Sequence, residues 1–180
     1  MKSESLPGKT VAQIPSFRGL NESECRQLIE VAQEKAFAPG AKVIEQGKTS
    51  QYLWILLEGK CEVVRDSRRD GKLILAELEP FSLFGEMSFF SPAPHSASVV
   101  AKTPIRLLSI ARSDYDDLIR DGVIAAYKLA YNVVESVANR LRRMDERIAE
   151  LASDDDAEPS QEQQPEWRKF RDKLFNGWNL

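Results

Sequence analysis

The sequence predicts a mainly β fold with helices, of the sandwich or jelly-roll class. Short β-rich runs, separated by glycine and proline, occupy the chain from Lys35 to Ile110, and this even punctuation is typical of such folds. An amphipathic helical pattern precedes these runs, and a much longer one follows them. We therefore expect one β domain with a short N-terminal helix and a long C-terminal helix.

Six runs read as strands, and they lie at residues 43–44, 52–57, 61–65, 73–78, 97–101 and 105–110. The dipeptide Asp70-Gly71 predicts a hairpin, because it suits a tight turn in which both central residues need positive φ. Glu58-Gly59 predicts a second turn.

Two capping patterns predict where helices begin. Asn21 is followed three residues later by Glu24, and apolar residues then recur at helical spacing, as expected of an N-cap with a capping box. The segment 113–116 resembles a second capping box, before a short helix that ends at Asp121-Gly122. These patterns place helices on both sides of the β-rich region.

The long C-terminal pattern predicts a coiled-coil seam. Its apolar residues alternate spacings of four and three, and they are Val123, Tyr127, Ala130, Val134, Val137, Leu141, Met144, Ile148 and Leu151. A helix of about thirty residues, at ~1.5 Å each, is longer than a small β domain is wide. We expect a homodimer through residues 123–151, although the stripe can also pack on its own domain.

Composition narrows the functional classes. The chain has 180 residues and a formal net charge of −3, which disfavours a generally basic, nucleic-acid-binding surface. No signal peptide or membrane-spanning run is visible, so we expect a soluble cytoplasmic protein. Cys25 and Cys61 form neither a disulfide framework nor a metal-ligand cluster, and both are expected to be packed thiols.

The segment 84–99 holds the candidate site. It contains the single histidine of the chain, His95, in a loop punctuated by glycine and proline. Gly85 permits a tight turn, Glu86 can accept hydrogen bonds from sugar hydroxyls, and His95 and Ser96 can donate to phosphate oxygens. This combination indicates a sugar-phosphate site, whereas the alternative is an ordinary solvated turn.

Together with its neighbours, this segment resembles the phosphate-binding cassette of cyclic-nucleotide-binding domains, whose usual form is Phe-Gly-Glu, a short apolar helix and Pro-Arg-Ala-Ala/Thr. Segments 37–40, 43–47 and 53–59 resemble the turns and strands that precede it, and the likeness runs over residues 14–151. The resemblance implies an eight-stranded jelly roll like the sensor domain of cAMP-receptor proteins. The chain departs from the family at Phe81, where a glycine is usual, and at His95, where the arginine is usual.

The resemblance also implies ligand roles. Glu86 matches the acid that binds the ribose 2′-hydroxyl, Ser96 matches the small residue that helps to hold the phosphate, and Met144 and Asp145 match positions that touch the purine. The implied ligand is cAMP or cGMP, with base preference open. The full implied ligand-binding set is Gly85, Glu86, Met87, His95, Ser96, Ala97, Met144 and Asp145.

Histidine in place of arginine predicts weakened or altered binding. Arginine offers a permanent charge and a two-pronged donor set, whereas an unperturbed histidine is mostly neutral near pH 7. The alternative is a dimeric interaction or scaffold protein that keeps the fold without a ligand, or a regulator that acts through a partner. Metal-dependent and nucleophilic enzymes are disfavoured, since one histidine cannot supply a cupin-type metal site and no catalytic arrangement can be argued. We expect no catalytic residue, metal or cofactor.

The sequence predicts five regions. They are an extension (1–13), the jelly roll (14–122), the dimerisation helix (123–152), an acidic linker (153–164) and an amphipathic aromatic segment (165–180). The last region is too short for a helix-turn-helix, so we expect no direct DNA binding and an unidentified downstream protein. We expect residues 165–180 to dock on this domain or its dimer mate, in preference to another protein or an anionic membrane surface.

Overall fold

The computed structural model describes residues 13–67 and 71–153. After a 3-10 turn at Pro15–Phe17, the helices are α1 (Glu22–Val31), α2 (Glu86–Phe90), α3 (Arg112–Arg120) and α4 (Ile124–Ser153). The strands are β1 (Gln33–Phe37), β2 (Lys42–Ile44), β3 (Tyr52–Glu58), β4 (Cys61–Ser67), β5 (Gly71–Leu78), β6 (Leu83–Phe84), β7 (Ser98–Ala101) and β8 (Ile105–Ala111).

The strands form two four-stranded antiparallel sheets, in the orders β1-β8-β3-β6 and β2-β7-β4-β5. The predicted eight-stranded fold with flanking helices is therefore confirmed, and each of the six apolar runs lies on a strand. Strands β1 and β6 lacked such a run. Strand β1 is a largely polar edge strand that pairs only with β8, and β6 has only two residues.

The domain has two hydrophobic cores. The helix-side core lies between strands and helices, and the inter-sheet core lies between the two sheets. Strand β3 contributes side chains to both. Its residues Leu53, Ile55 and Leu57 pack toward the helices, whereas Trp54 and Leu56 pack between the sheets. Because both faces are covered, the strand reads as a continuous apolar run. Cys61 lies in the inter-sheet core as a buried free thiol, where burial raises its pKa to about 11, and Cys25 is free and half-buried.

One predicted helix start is confirmed and one is wrong. Asn21 and Glu24 form the reciprocal capping box of α1. Helix α3, however, begins at Arg112 after Ala111, and Ser113 already lies inside it. Strand β8 runs directly into α3, and the Arg112 amide donates to the Gln51 carbonyl at 2.9 Å. A tertiary contact, and not a side-chain cap, therefore holds the start of α3.

Helix α4 presents two different stripes. The stripe that packs on the helix-side core comprises Ala125, Ala126, Leu129 and Val133, with Val123 and Ala130 partly buried beside it. Other heptad positions are exposed, and these are Tyr127, Val134, Val137, Leu141 and Met144. The self-packing stripe is thus displaced from most of the heptad seam, and dimerisation through that seam stays a prediction.

Two compact units divide the chain, Met1–Ser136 and Val137–Leu180. Within the described residues, no helix combines the length and apolarity needed to cross a membrane. The predictions for residues 1–12, for Asp70 in the hairpin and for most of the acidic linker and all of the aromatic segment lie outside the described residues.

Candidate functional site

The site begins at Gly85, which connects β6 to α2. Gly85 has φ +83°, in the left-handed region that glycine adopts at little cost. A Cβ here would lie 2.7 Å from the Tyr52 carbonyl oxygen and 3.0 Å from Trp54 Cδ1. Backbone conformation and close packing on β3 therefore both require glycine at this position.

Glu86 is the first residue of α2 and is only 7% exposed. An ionised carboxylate has only acceptor capacity, so it suits the hydroxyl groups of a sugar. Met87, the next residue, is 67% exposed, and its side chain is available to a ligand or a partner. Adjacent residues of α2 thus present a buried carboxylate and an exposed apolar side chain.

His95 is held by four hydrogen bonds. Its ring Nε2 lies 2.7 Å from Ser50 Oγ, and its Nδ1 lies 3.0 Å from Ser88 Oγ. Its backbone N–H donates to the Lys48 carbonyl at 2.8 Å, and its carbonyl accepts from the Gly47 N–H at 2.9 Å. His95 therefore fastens the loop after α2 both to α2 itself and to the turn before β3.

The electrostatics of this bridge favour a neutral ring. His95 is 8% exposed, and burial lowers its pKa below the ordinary histidine value. A neutral imidazole has one donor nitrogen and one acceptor nitrogen, and hydroxyl groups satisfy both. The ring thus links the turn before β3 to α2 through two neutral hydrogen bonds, and its contact with a phosphate stays a prediction.

The residues after His95 include one exposed hydroxyl and one buried hydroxyl. Ser96 is exposed and Ala97 is half-buried, whereas Ser98 is buried and its Oγ accepts from the Gln46 N–H at 3.0 Å. Ser50, Ser88 and Ser98 were not among the predicted site residues. Ser88 was recognisable as a hydroxyl in the cassette, but nothing local marks Ser50, which lies 45 positions from His95.

Arg112 secures the other end of α2. Its Nη1 donates to the Phe89 carbonyl at 2.8 Å, while its Nε donates to Asp116 Oδ1 at 2.8 Å. Its guanidinium also lies over the rings of Phe89 and Tyr115. A cation at a helix C-terminus satisfies carbonyls that have no partner within the helix, so Arg112 stabilises the position of α2 against α3.

Phe81 keeps the backbone of a glycine. Its φ is +70°, the only positive φ outside glycine in the described residues. Its N–H donates to the Leu56 carbonyl at 2.6 Å, and its side chain packs against the helix-side core. Burial of the phenyl ring offsets the backbone strain at this position.

The predicted site residues divide between the two units. Residues 85–87 and 95–97 lie in the first unit, where His95 also bonds to Ser88, which was not predicted. Met144 and Asp145 are exposed residues of α4 in the second unit, and their contact with a ligand stays a prediction. Among the described residues, no cluster of three or more His, Cys, Asp or Glu side chains could hold a metal ion.

Comparison with known proteins gives one consistent result. Residues 34–122 match the family described as "Cyclic nucleotide-binding domain". The cyclic AMP receptor protein of Thermus thermophilus is 34% identical over 131 residues, which cover 73% of this chain and 59% of that protein. This chain therefore spans less than two thirds of the length of that relative.

Two further relatives extend the comparison. A cAMP-dependent protein kinase regulatory subunit of Yarrowia lipolytica is 32% identical over 114 residues, or 63% of this chain and 29% of that protein. A solved cyclic nucleotide-binding domain from Methylobacillus flagellatus superposes with a TM-score of 0.70 at 25% identity, covering 78% of this chain and 79% of that one.

Proposed function

Because residues 34–122 belong to the cyclic nucleotide-binding domain family, we propose that this protein is a non-catalytic sensor module. In this proposal a ribose-containing ligand of the cyclic-nucleotide type binds at the cassette formed by residues 84–99. The signal passes through α4 to a second copy and to a downstream protein. We place the protein in the cytoplasm.

The main support for this proposal is the start of the cassette, at Gly85 and Glu86. Gly85 adopts a left-handed conformation against β3, and the carboxylate of Glu86 is buried directly after it. A carboxylate has several acceptor lone pairs, so Glu86 can accept from ribose hydroxyls in addition to the interaction that it makes within the protein. The Glu86 carboxylate is therefore our proposed ribose ligand, and Ser96 supplies an exposed hydroxyl in the same cassette.

The same cassette supports weakened binding of a cyclic phosphate. A charge-assisted hydrogen bond contributes roughly 1.5–3 kcal/mol, and a buried neutral His95 does not offer one. The expected loss relative to an arginine-containing cassette is on the order of ten- to a hundredfold in affinity.

Titration calorimetry with cAMP and cGMP tests the proposal. We expect weak, saturable binding of one or both ligands, and a Glu86→Gln variant that binds at least about tenfold more weakly because a charged acceptor is lost. Glu22→Gln on the exposed side of α1 is the matched control and should bind like the wild type. If the wild type and Glu86→Gln bind with equal affinity, Glu86 does not bind the ligand.

A ligand-free dimeric scaffold is the second candidate. The observation that favours it is the closed Ser50–His95–Ser88 bridge, in which hydroxyls already satisfy the ring. Melting curves separate the two functions, since a ligand that binds only the folded state raises the melting temperature with its concentration. If the protein is a scaffold without a ligand, cAMP, cGMP and cyclic dinucleotides should leave its melting temperature unchanged.

A further inference from the structure

The cassette supplies no cationic side chain of its own. Residues 84–99 contain neither lysine nor arginine, and their only ionisable side chains are Glu86 and His95. Lys48 donates no side-chain bond to His95, which it meets through its backbone carbonyl, and its ammonium pairs with Glu45 at 2.7 Å. The ionisable side chains that this cassette presents to an anionic ligand group are therefore an acid and a buried imidazole, and neither supplies a fixed cation.

The hydrogen bonds of His95 leave its ring no N–H for a ligand. A neutral imidazole has one donor nitrogen and one acceptor nitrogen. One serine donates to the acceptor nitrogen, and the other serine accepts the single N–H of the ring. Both ring nitrogens are therefore used in either tautomer, because Ser50 and Ser88 occupy both ring positions. A phosphate oxygen, which can only accept, finds no free donor on this ring.

His95 cannot turn toward a phosphate without breaking this bridge. Ser88 is 4% exposed and His95 is 8% exposed, so bonds lost between them would not be replaced readily by water. The two backbone bonds to Gly47 and Lys48 also fix the position of the residue. The arrangement holds the ring in place as part of the scaffold of the cassette.

We propose that the cassette takes an uncharged nucleoside in preference to the matching 3′,5′-cyclic monophosphate, an inference that rests on the proposed ribose site at Glu86. Nucleosides carry free 3′- and 5′-hydroxyls, which donate as well as accept. They also avoid the desolvation of a phosphate anion, which is costly without a paired cation. The 2′-hydroxyl remains available to Glu86 in both ligand classes.

Calorimetry on the full chain tests this inference with adenosine against cAMP and guanosine against cGMP. We expect at least one nucleoside to bind about ten times more tightly than its cyclic monophosphate. A His95→Arg variant should reverse that order, because it adds a fixed cation. Gln27→Arg, on the exposed side of α1, adds the same charge elsewhere and should keep the wild-type order.

The wild-type titrations alone decide the inference if His95→Arg does not fold. If both cyclic monophosphates bind as tightly as their nucleosides, or more tightly, the inference is overturned and the proposed sensor function stands. Binding of none of the four compounds would overturn both. A neutral His95→Gln variant that prefers the cyclic monophosphate would also overturn the inference, since the amide adds no cation.

Discussion

Phe81 and His95 are the residues at which this chain departs from its family, and the departures differ in kind. At Phe81 the backbone keeps the glycine conformation while the side chain gains burial. At position 95, where arginine is usual in the family, the histidine carries no fixed charge and makes two hydrogen bonds to serine hydroxyls. The first change concerns stability, whereas the second is the basis of the proposed change in ligand preference.

Substitutions at Phe81 should separate backbone strain from packing. A non-glycine residue in the left-handed region costs about 1–2 kcal/mol, so Phe81→Gly loses the ring but also removes strain. Phe81→Ala loses the ring and keeps the strain. We expect both variants to be less stable than the wild type, and Phe81→Gly to be more stable than Phe81→Ala by about 1 kcal/mol in urea denaturation.

Gly40→Ala serves as a reference for that measurement, because φ is +83° at Gly40 and no atom lies within 4 Å of the added Cβ. Its destabilisation should match the difference between the two Phe81 variants. If Phe81→Ala proves as stable as Phe81→Gly, the positive φ at this position carries no strain.

At the residue scale, the sequence predicted the turn at Gly85 and the short helix after it, but not the hydrogen bonds of His95. Gly85 and Glu86 were predictable from Phe-Gly-Glu because the turn and the acid are adjacent. The role of His95 was not, since its ring partners are set by tertiary structure. Ser50 reaches His95 only because the turn before β3 folds against the loop after α2.

Helix α4 is the element that connects the domain to its proposed partner. Val133 and Val134 are adjacent, yet Val133 is 2% exposed in the helix-side core and Val134 is 66% exposed on the heptad seam. Neighbouring positions of one helix therefore serve two different surfaces. Periodicity predicted the helix, but it could not show that Leu129 and Val133 cover the domain while Tyr127 and Val134 remain exposed.

The same substitution at these two positions should separate folding from self-association. Val133→Ala should lower the free energy of unfolding by about 1–3 kcal/mol, because it removes buried methyl groups and leaves a cavity. Val134→Ala should change monomer stability by less than about 0.5 kcal/mol and should weaken the dimer. Urea denaturation and sedimentation equilibrium measure the two effects. Equal destabilisation by both substitutions would mean that Val134 also packs on its own domain.

Apolar periodicity predicted an element well where the apolar side chains of that element are buried. It predicted poorly where tertiary contacts fix the position or the end of an element. Strands β3 and β8 were predictable because their runs are buried. Strand β1 was not, since an edge strand can be stabilised by pairing while its side chains stay polar. The start of α3 was misplaced because a backbone bond to Gln51 holds it.

At the scale of the whole molecule, the proposed sensor binds its ligand at the cassette and transmits the signal through α4. A sensor requires that ligand binding and helix association influence each other, since any coupling between two equilibria is reciprocal. A ligand that binds equally well to monomer and dimer shifts neither population. Occupancy of the cassette is therefore necessary for the proposed function but is not sufficient.

Sedimentation equilibrium of the full chain, with and without a saturating ligand identified by calorimetry, tests the sensor account most directly. We predict that the ligand changes the dimer dissociation constant at least about fivefold, and that Glu86→Gln shows a smaller change at the same ligand concentration. Identical dissociation constants for the free and the saturated wild-type protein would contradict the account.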